Sequence, residues 1–168
     1  VMAEGEIAYA PRTENYHYEM ELVFALKSGG TNIAEADALS HIYGCAAGLD
    51  MTRRDLQNKA KENRKPWDTA KDVDESAVIT PLRQMSEVPS VASGRIHLSQ
   101  NGTIKQDADL SEMVWSVPEI IADLSTMYTL QQGDVIYMGT PAGVGAVSRG
   151  DVLTGGVEGI GDFEVKIA

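Results

Sequence analysis

Residues 16–27 read YHYEMELVFALK, and their alternation decides the class of fold. Tyr18, Met20, Leu22, Phe24 and Leu26 fall on one side of an extended chain. His17, Glu19, Glu21, Val23 and Ala25 fall on the other. A period of two with one wholly apolar face predicts a β-strand laid on a core. Glu19 and Glu21 then point to the same side. Adjacent carboxylates repel, and a hard divalent cation with a taste for oxygen ligands (Mg²⁺, Mn²⁺ or Ca²⁺) is one way to compensate them. The other reading of Glu-x-Glu is a solvated strand face, which the pair taken alone more often is. His17 shares the face of the glutamates and is the one visible candidate for a general base, although a lone histidine is more often structural.

Downstream, Gly29-Gly30 ends the strand. Asn32 with Glu35 three residues on has the form of a capping box and predicts a helix to about Tyr43. Residues 44–52 (GCAAGLDMT) are small and apolar and predict a buried strand that ends at Asp50. Asp50 reads equally as a carboxylate set at the end of a buried strand or as the N-cap of the polar helix expected over Arg53–Arg64, which Pro66 stops. Residues 67–90 lack periodicity and read as a long ordered loop, a place where function tends to reside. Lys71 lies in it. Held beside a metal, its ammonium would stabilise an enolate or bind a carboxylate; taken alone, it reads as a surface charge.

Asn101-Gly102 between two short alternating runs predicts a hairpin. Ser116, Pro118 and Glu119 mark a helix start, with Ile120, Ile121, Leu124 and Met127 as its buried stripe. A strand over Val135–Met138 leads into Gly139-Thr140-Pro141-Ala142-Gly143-Val144-Gly145. Its glycines let backbone N–H groups approach an anion, or simply form a tight turn. No clear helix follows, so it is not a dinucleotide fingerprint. The Gly-rich tail from Asp151 reads as closing strands.

The bulk properties narrow the field. A chain of 168 residues, 43% hydrophobic and 23% charged, fits one soluble globular domain over residues 1–168, with residues 1–15 as an irregular arm holding at most one short strand. Strands outnumber helices, giving an α+β class. A net charge of -11 without a basic face argues against a nucleic-acid partner. No apolar run is long enough for a bilayer, and no basic stretch opens a signal peptide, so the expected compartment is the cytoplasm. Cys45, the single cysteine, lies in an apolar stretch and is expected to be a buried hydrophobe rather than a nucleophile.

Six segments in this order resemble the fumarylacetoacetate hydrolase family: His17-Tyr-Glu19-Met-Glu21-Leu; Gly48-Leu-Asp50-Met-Thr-Arg-Arg-Asp55-Leu-Gln57; Lys65-Pro-Trp67-Asp-x-x-Lys71; Ser116-Val-Pro-Glu119-Ile-Ile; Leu130-x-x-Gly-Asp-Val-Ile; and Gly139-Thr-Pro-Ala-Gly-Val-Gly145. The resemblance implies a mixed β-sheet roll or sandwich with peripheral helices, usually a homodimer. It implies Glu19, Glu21 and Asp50 as ligands of one Mg²⁺ or Mn²⁺. Lys71 would lie beside the metal-bound substrate. Thr140, with Gly139, would contact the substrate's carboxylate or oxo end, and Arg54 would be a further anion contact.

The implied reaction is hydrolysis of a C–C bond in an acylpyruvate or diketo acid. The wording of the motifs is closest to the fumarylpyruvate-cleaving branch associated with aromatic catabolism. The acylpyruvase and oxaloacetate decarboxylase branch is nearly as close, and a 2-oxo acid hydratase or isomerase is a further alternative. Family members carry a His–Glu pair ahead of the Glu-x-Glu strand, and residues 1–16 contain no histidine. With Val1 as the first residue, the expectation is a shortened arm, which leaves room for a catalytically impaired metal- and oxo-acid-binding remnant.

Overall fold

The computed structural model describes all residues from Val1 to Ala168. In chain order the strands are β1 (Glu4–Ile7), β2 (Tyr16–Tyr18), β3 (Met20–Leu26), β4 (Ile42–Asp50), β5 (Thr52–Arg53), β6 (Ala77–Ile79), β7 (Arg83–Gln84), β8 (Arg95–Gln100), β9 (Thr103–Asp109), β10 (Val135–Tyr137), β11 (Gly145–Ala146), β12 (Val152–Val157) and β13 (Gly161–Ile167). The helices are α1 (Glu35–Ala38), α2 (Arg54–Glu62), α3 (Asp68–Lys71) and α4 (Val117–Met127). The fold is α+β with sheet predominant, as the alternating pattern predicts.

Three sheets carry the architecture. One has the order β1-β13-β12-β8-β9, the second β10-β3-β4-β6 with β7 also on β4, and the third β11-β2-β5. The first sheet packs on β3 and β4. Met20, Leu22 and Phe24 join Leu98, Leu153, Val165 and Ile121 of α4 in one core. Each such large side chain contributes roughly 1.5–3 kcal/mol by leaving water.

The Glu-x-Glu segment is two strands rather than one. β2 ends at Tyr18, β3 begins at Met20, and the chain changes sheet at Glu19. The partner does the same thing opposite it, β4 ending at Asp50 and β5 beginning at Thr52. All seven residues of β3 are buried, so its second face is covered as well. Tyr137 covers part of it by reaching across from β10 to donate to the Val78 carbonyl at 3.0 Å.

The helix expected from Asn32 to Tyr43 is mostly absent. α1 has four residues, its N-cap is Ala34 without a side-chain bond, and Asn32 sits at φ 50°. A 3₁₀ turn over Leu39–His41 follows, and Ile42 then pairs with Leu26. Pairing with β3 outweighs local helix propensity here, because the apolar strand gains a buried partner. The expected loop over 67–90 is also more ordered than its composition suggests, containing α3, β6 and β7. The arm is tied down too: β1 pairs in parallel with β13. Asn101 and Gly102, at φ 52° and 77°, close the β8–β9 hairpin as predicted. Ser116 and Glu119 cap α4 reciprocally. No helix is long and apolar enough to cross a membrane.

Candidate metal centre and substrate site

The sheet change at Glu19 builds the site. Asp50 N donates to the Glu19 carbonyl at 2.9 Å, which sets the ends of β3 and β4 level. Glu21 lies opposite Gly48, two residues before Asp50, so Glu19, Glu21 and Asp50 share one face with no side chain at the fourth corner. A Cβ at Gly48 would stand 2.7 Å from the Val78 carbonyl oxygen and 3.0 Å from the Tyr137 ring, so only glycine leaves the ring room to lie there. One carboxylate oxygen from each of the three acids lies within 4.8 Å of the other two. Glu19 and Glu21 are buried, and Asp50 is half-buried.

Three cationic or donor groups surround them. Lys71, the last residue of α3, places Nζ 2.6 Å from Glu19 Oε2 and 2.5 Å from Asp50 Oδ2. Arg54, at the start of α2, pairs through Nη2 with Glu19 Oε1 and donates through Nη1 to Gln57 Oε1 at 2.6 Å. Gly139 N donates to Glu21 Oε2 at 2.7 Å.

Burial sets the electrostatics. It pushes the Glu21 carboxyl up to about 7, against the Gly139 hydrogen bond and with help from Asp50 and Glu19. Burial also raises Asp50, only partly offset by Lys71. For Lys71, burial works against the charge, but hydrogen bonds to Asp50 and Glu19 prevail and hold it above the ordinary lysine value. Three hard oxygen donors crowded in a low-dielectric corner are the donor set that Mg²⁺ or Mn²⁺ takes, and a cation there would favour the charged form of Glu21 that burial opposes.

His17 is held differently from the sequence expectation. It lies in β2, in the third sheet, and not on one strand with Glu21. Its Nδ1 is 3.4 Å from Arg54 Nε, which can only donate, and its Nε2 is 2.8 Å from Asn15 Oδ1. The ring is therefore neutral with its proton on Nε2, and burial followed by the Arg54 charge lowers its pKa. Both ring nitrogens are committed. Asp50 caps no helix, since Arg53 occupies the N-cap of α2 without a side-chain bond.

Thr140 stands beside the site through its neighbour Gly139, and its Oγ1 accepts from Gln106 Nε2 at 2.8 Å. Gln57, Gln106 and Tyr137 also belong to the assembly. The first two are buried polar residues on a helix and a hairpin, with no local pattern to flag them in the sequence.

The chain matches, over residues 1–168, the family described as Fumarylacetoacetate (FAA) hydrolase C-terminal. It is 52% identical over 167 residues to a fumarylpyruvate hydrolase of Ralstonia sp, covering 99% of this chain and 86% of that protein. It is 35% identical over 169 residues to the mitochondrial oxaloacetate tautomerase FAHD1 of Rattus norvegicus, covering 95% and 76%. A crystal structure of fumarylpyruvate hydrolase from Pseudomonas aeruginosa in complex with Mn²⁺ and pyruvate superimposes with a TM-score of 0.96 at 42% identity, covering 100% of this chain and 73% of that one. The six ordered motifs, the carboxylate corner and these likenesses agree, and the chain belongs to the fumarylacetoacetate hydrolase family.

Proposed function

We propose that this protein is a divalent-metal-dependent hydrolase that cleaves an acylpyruvate at a C–C bond, with fumarylpyruvate as substrate and fumarate and pyruvate as products. The observation that carries the reading is the Glu19–Glu21–Asp50 corner with Lys71 against it, in a chain so similar to a fumarylpyruvate hydrolase. Glu19, Glu21 and Asp50 would hold Mg²⁺ or Mn²⁺. When bound, the cation supplies positive charge that makes a pyruvate enolate an acceptable leaving group.

The chain's own residues then divide the remaining work. Lys71 brings a second positive charge to the oxygen on which negative charge develops. Arg54 and the Thr140 hydroxyl, with the Gly139 backbone beside it, bind and orient the carboxylate and oxo end of the substrate. His17, with both nitrogens engaged, positions Arg54 and does not take the proton from water. Water bonds through its oxygen to the distal carbonyl carbon and gives up a proton. The bond to the pyruvate unit breaks with its electron pair going to the pyruvate carbon, and that carbon takes up a proton, so the hydroxyl of water ends on the acid and its other hydrogen on pyruvate. The reading includes a homodimeric enzyme of aromatic catabolism, as the family resemblance implies.

Turnover of fumarylpyruvate with Mn²⁺, beside oxaloacetate as competing substrate, tests this. The reading predicts that fumarylpyruvate is cleaved at least about tenfold more efficiently, since a site fitted to one acyl group discriminates by a few kcal/mol. Metal-dependent conversion of oxaloacetate alone would overturn it in favour of the tautomerase-like relatives.

A further inference from the structure

Gln106 is fully buried in β9, on the hairpin rather than on any element that carries the carboxylates. A buried amide is costly unless every polar atom is matched. Here each is. Oε1 accepts from Met20 N at 3.1 Å, and Nε2 donates to Thr140 Oγ1 at 2.8 Å and to the Pro141 carbonyl at 2.9 Å.

The orientation of this amide is fixed by its partners. Met20 N can only donate and the Pro141 carbonyl can only accept, so a flipped amide would set donor on donor and acceptor on acceptor. Gln106 therefore has to donate to Thr140. That bond makes Thr140 Oγ1 an acceptor and leaves its own proton free for another partner. A substrate carboxylate or enolate oxygen only accepts, so the hydroxyl is presented with the matching polarity.

The same side chain links the two halves of the site. Met20 N is the amide between Glu19 and Glu21, and Thr140-Pro141 is the tip of the glycine loop. Nearby, a Cβ at Gly143 would come within 2.0 Å of the Lys105 carbonyl oxygen, so the loop is pressed against β9 at this point.

We propose that Gln106 is a positioning residue that locks the Thr140 hydroxyl as a hydrogen-bond donor toward the anionic oxygens of the bound oxo acid. This rests on the reading that Thr140 contacts the substrate. The reading predicts a specific loss: oxo-acid affinity falls, while metal affinity does not.

Calorimetry of the whole chain with Mn²⁺, and of the Mn²⁺-saturated chain with oxalate as the probe, distinguishes the cases. Gln106→Met is expected to weaken oxalate about fivefold, the scale of one hydrogen bond, while Mn²⁺ affinity stays within about twofold. In a Thr140→Val background, Gln106→Met is expected to add less than about twofold, because the group it orients is gone. If Gln106→Met fails to fold, Gln106→Asn keeps a neutral amide that is one methylene too short to bridge Met20 N and Thr140 Oγ1, and the same pattern is expected of it. An equal oxalate loss in the Thr140→Val background, or a parallel loss of Mn²⁺ affinity, would make Gln106 merely structural and overturn the proposal. A Thr140→Val variant that binds oxalate normally would instead remove the Thr140 contact, and the proposal with it.

Discussion

The backbone N–H of Gly139 donates to Glu21 Oε2 at 2.7 Å, so the glycine loop and the Glu-x-Glu strand meet at the carboxylate itself. Burial already pushes Glu21 up to about 7, and a neutral amide in its place would keep an oxygen to accept from Gly139. Glu21→Gln is therefore expected to leave the melting temperature of chelator-treated protein unchanged or slightly higher. It is also expected to abolish the stabilisation given by Mn²⁺, which for a site at 100 times its Kd is about 2.7 kcal/mol. Thermal denaturation with and without Mn²⁺ measures both. A variant still stabilised by Mn²⁺ to the parental extent would mean that the cation binds elsewhere.

Lys71 offers an opposed pair of effects. Its ammonium sits against Glu19 and Asp50, where it competes for the same negative charge as a divalent cation. Lys71→Met is expected to tighten Mn²⁺ binding several-fold, yet to lower turnover by about 10²–10³, the scale of losing one preorganised charge from an active site. Calorimetry and steady-state kinetics on one preparation separate the two. Weakened Mn²⁺ binding would show that Lys71 organises the carboxylates rather than competing with the cation.

Much of this site was legible in the residues. The period-two run 16–27 displays Glu19 and Glu21 as a pair, and the apolar run before Asp50 marks a buried strand end. What local pattern did not show was that the chain changes sheet at both points. That depends on β2 pairing with β5 and β11, contacts distant in sequence. The same cause explains the helix over-extended from Asn32 and the strands hidden in 67–90. β6 and β7 are two or three residues long and exist because β4 offers them an edge. Gln106 was invisible for a related reason: its partners, Met20 and Thr140, are 86 and 34 residues away.

Gly48 is expected to be intolerant of even one methyl group. A Cβ there would stand 2.7 Å from Val23 Cγ2 and from the backbone oxygen of Val78, and a backbone atom cannot swing aside. Gly48→Ala is expected to cost about 1–3 kcal/mol in urea denaturation, the range for overpacking a close-packed interior. Because Tyr137 lies over the same spot, the variant should also weaken Mn²⁺ binding by displacing Asp50. Parental stability and parental metal affinity together would show that the sheet accommodates the methyl group by a shift too small to matter.

Cys45 provides a test of the core under β4, away from the carboxylate corner. It is fully buried, and burial pushes its thiol up to about 11, with Arg83 acting weakly the other way. The thiolate is the reactive form, so a thiol reagent at pH 8 is expected to label native protein no faster than the chain unfolds. The thiol also ties stability to pH. Its pKa is raised on folding from an ordinary value of 9.0, so the unfolded chain releases the proton first as pH rises. The contribution is complete below about pH 9 and is lost between there and about 11. Cys45→Ser is not a clean control, since it buries a hydroxyl. Cys45→Ala removes the titration while keeping an apolar side chain, and its stability should therefore fall less than that of the parent over this window in urea titrations. Rapid labelling of the native chain at pH 8 would mean that β4 opens locally far more often than its burial implies.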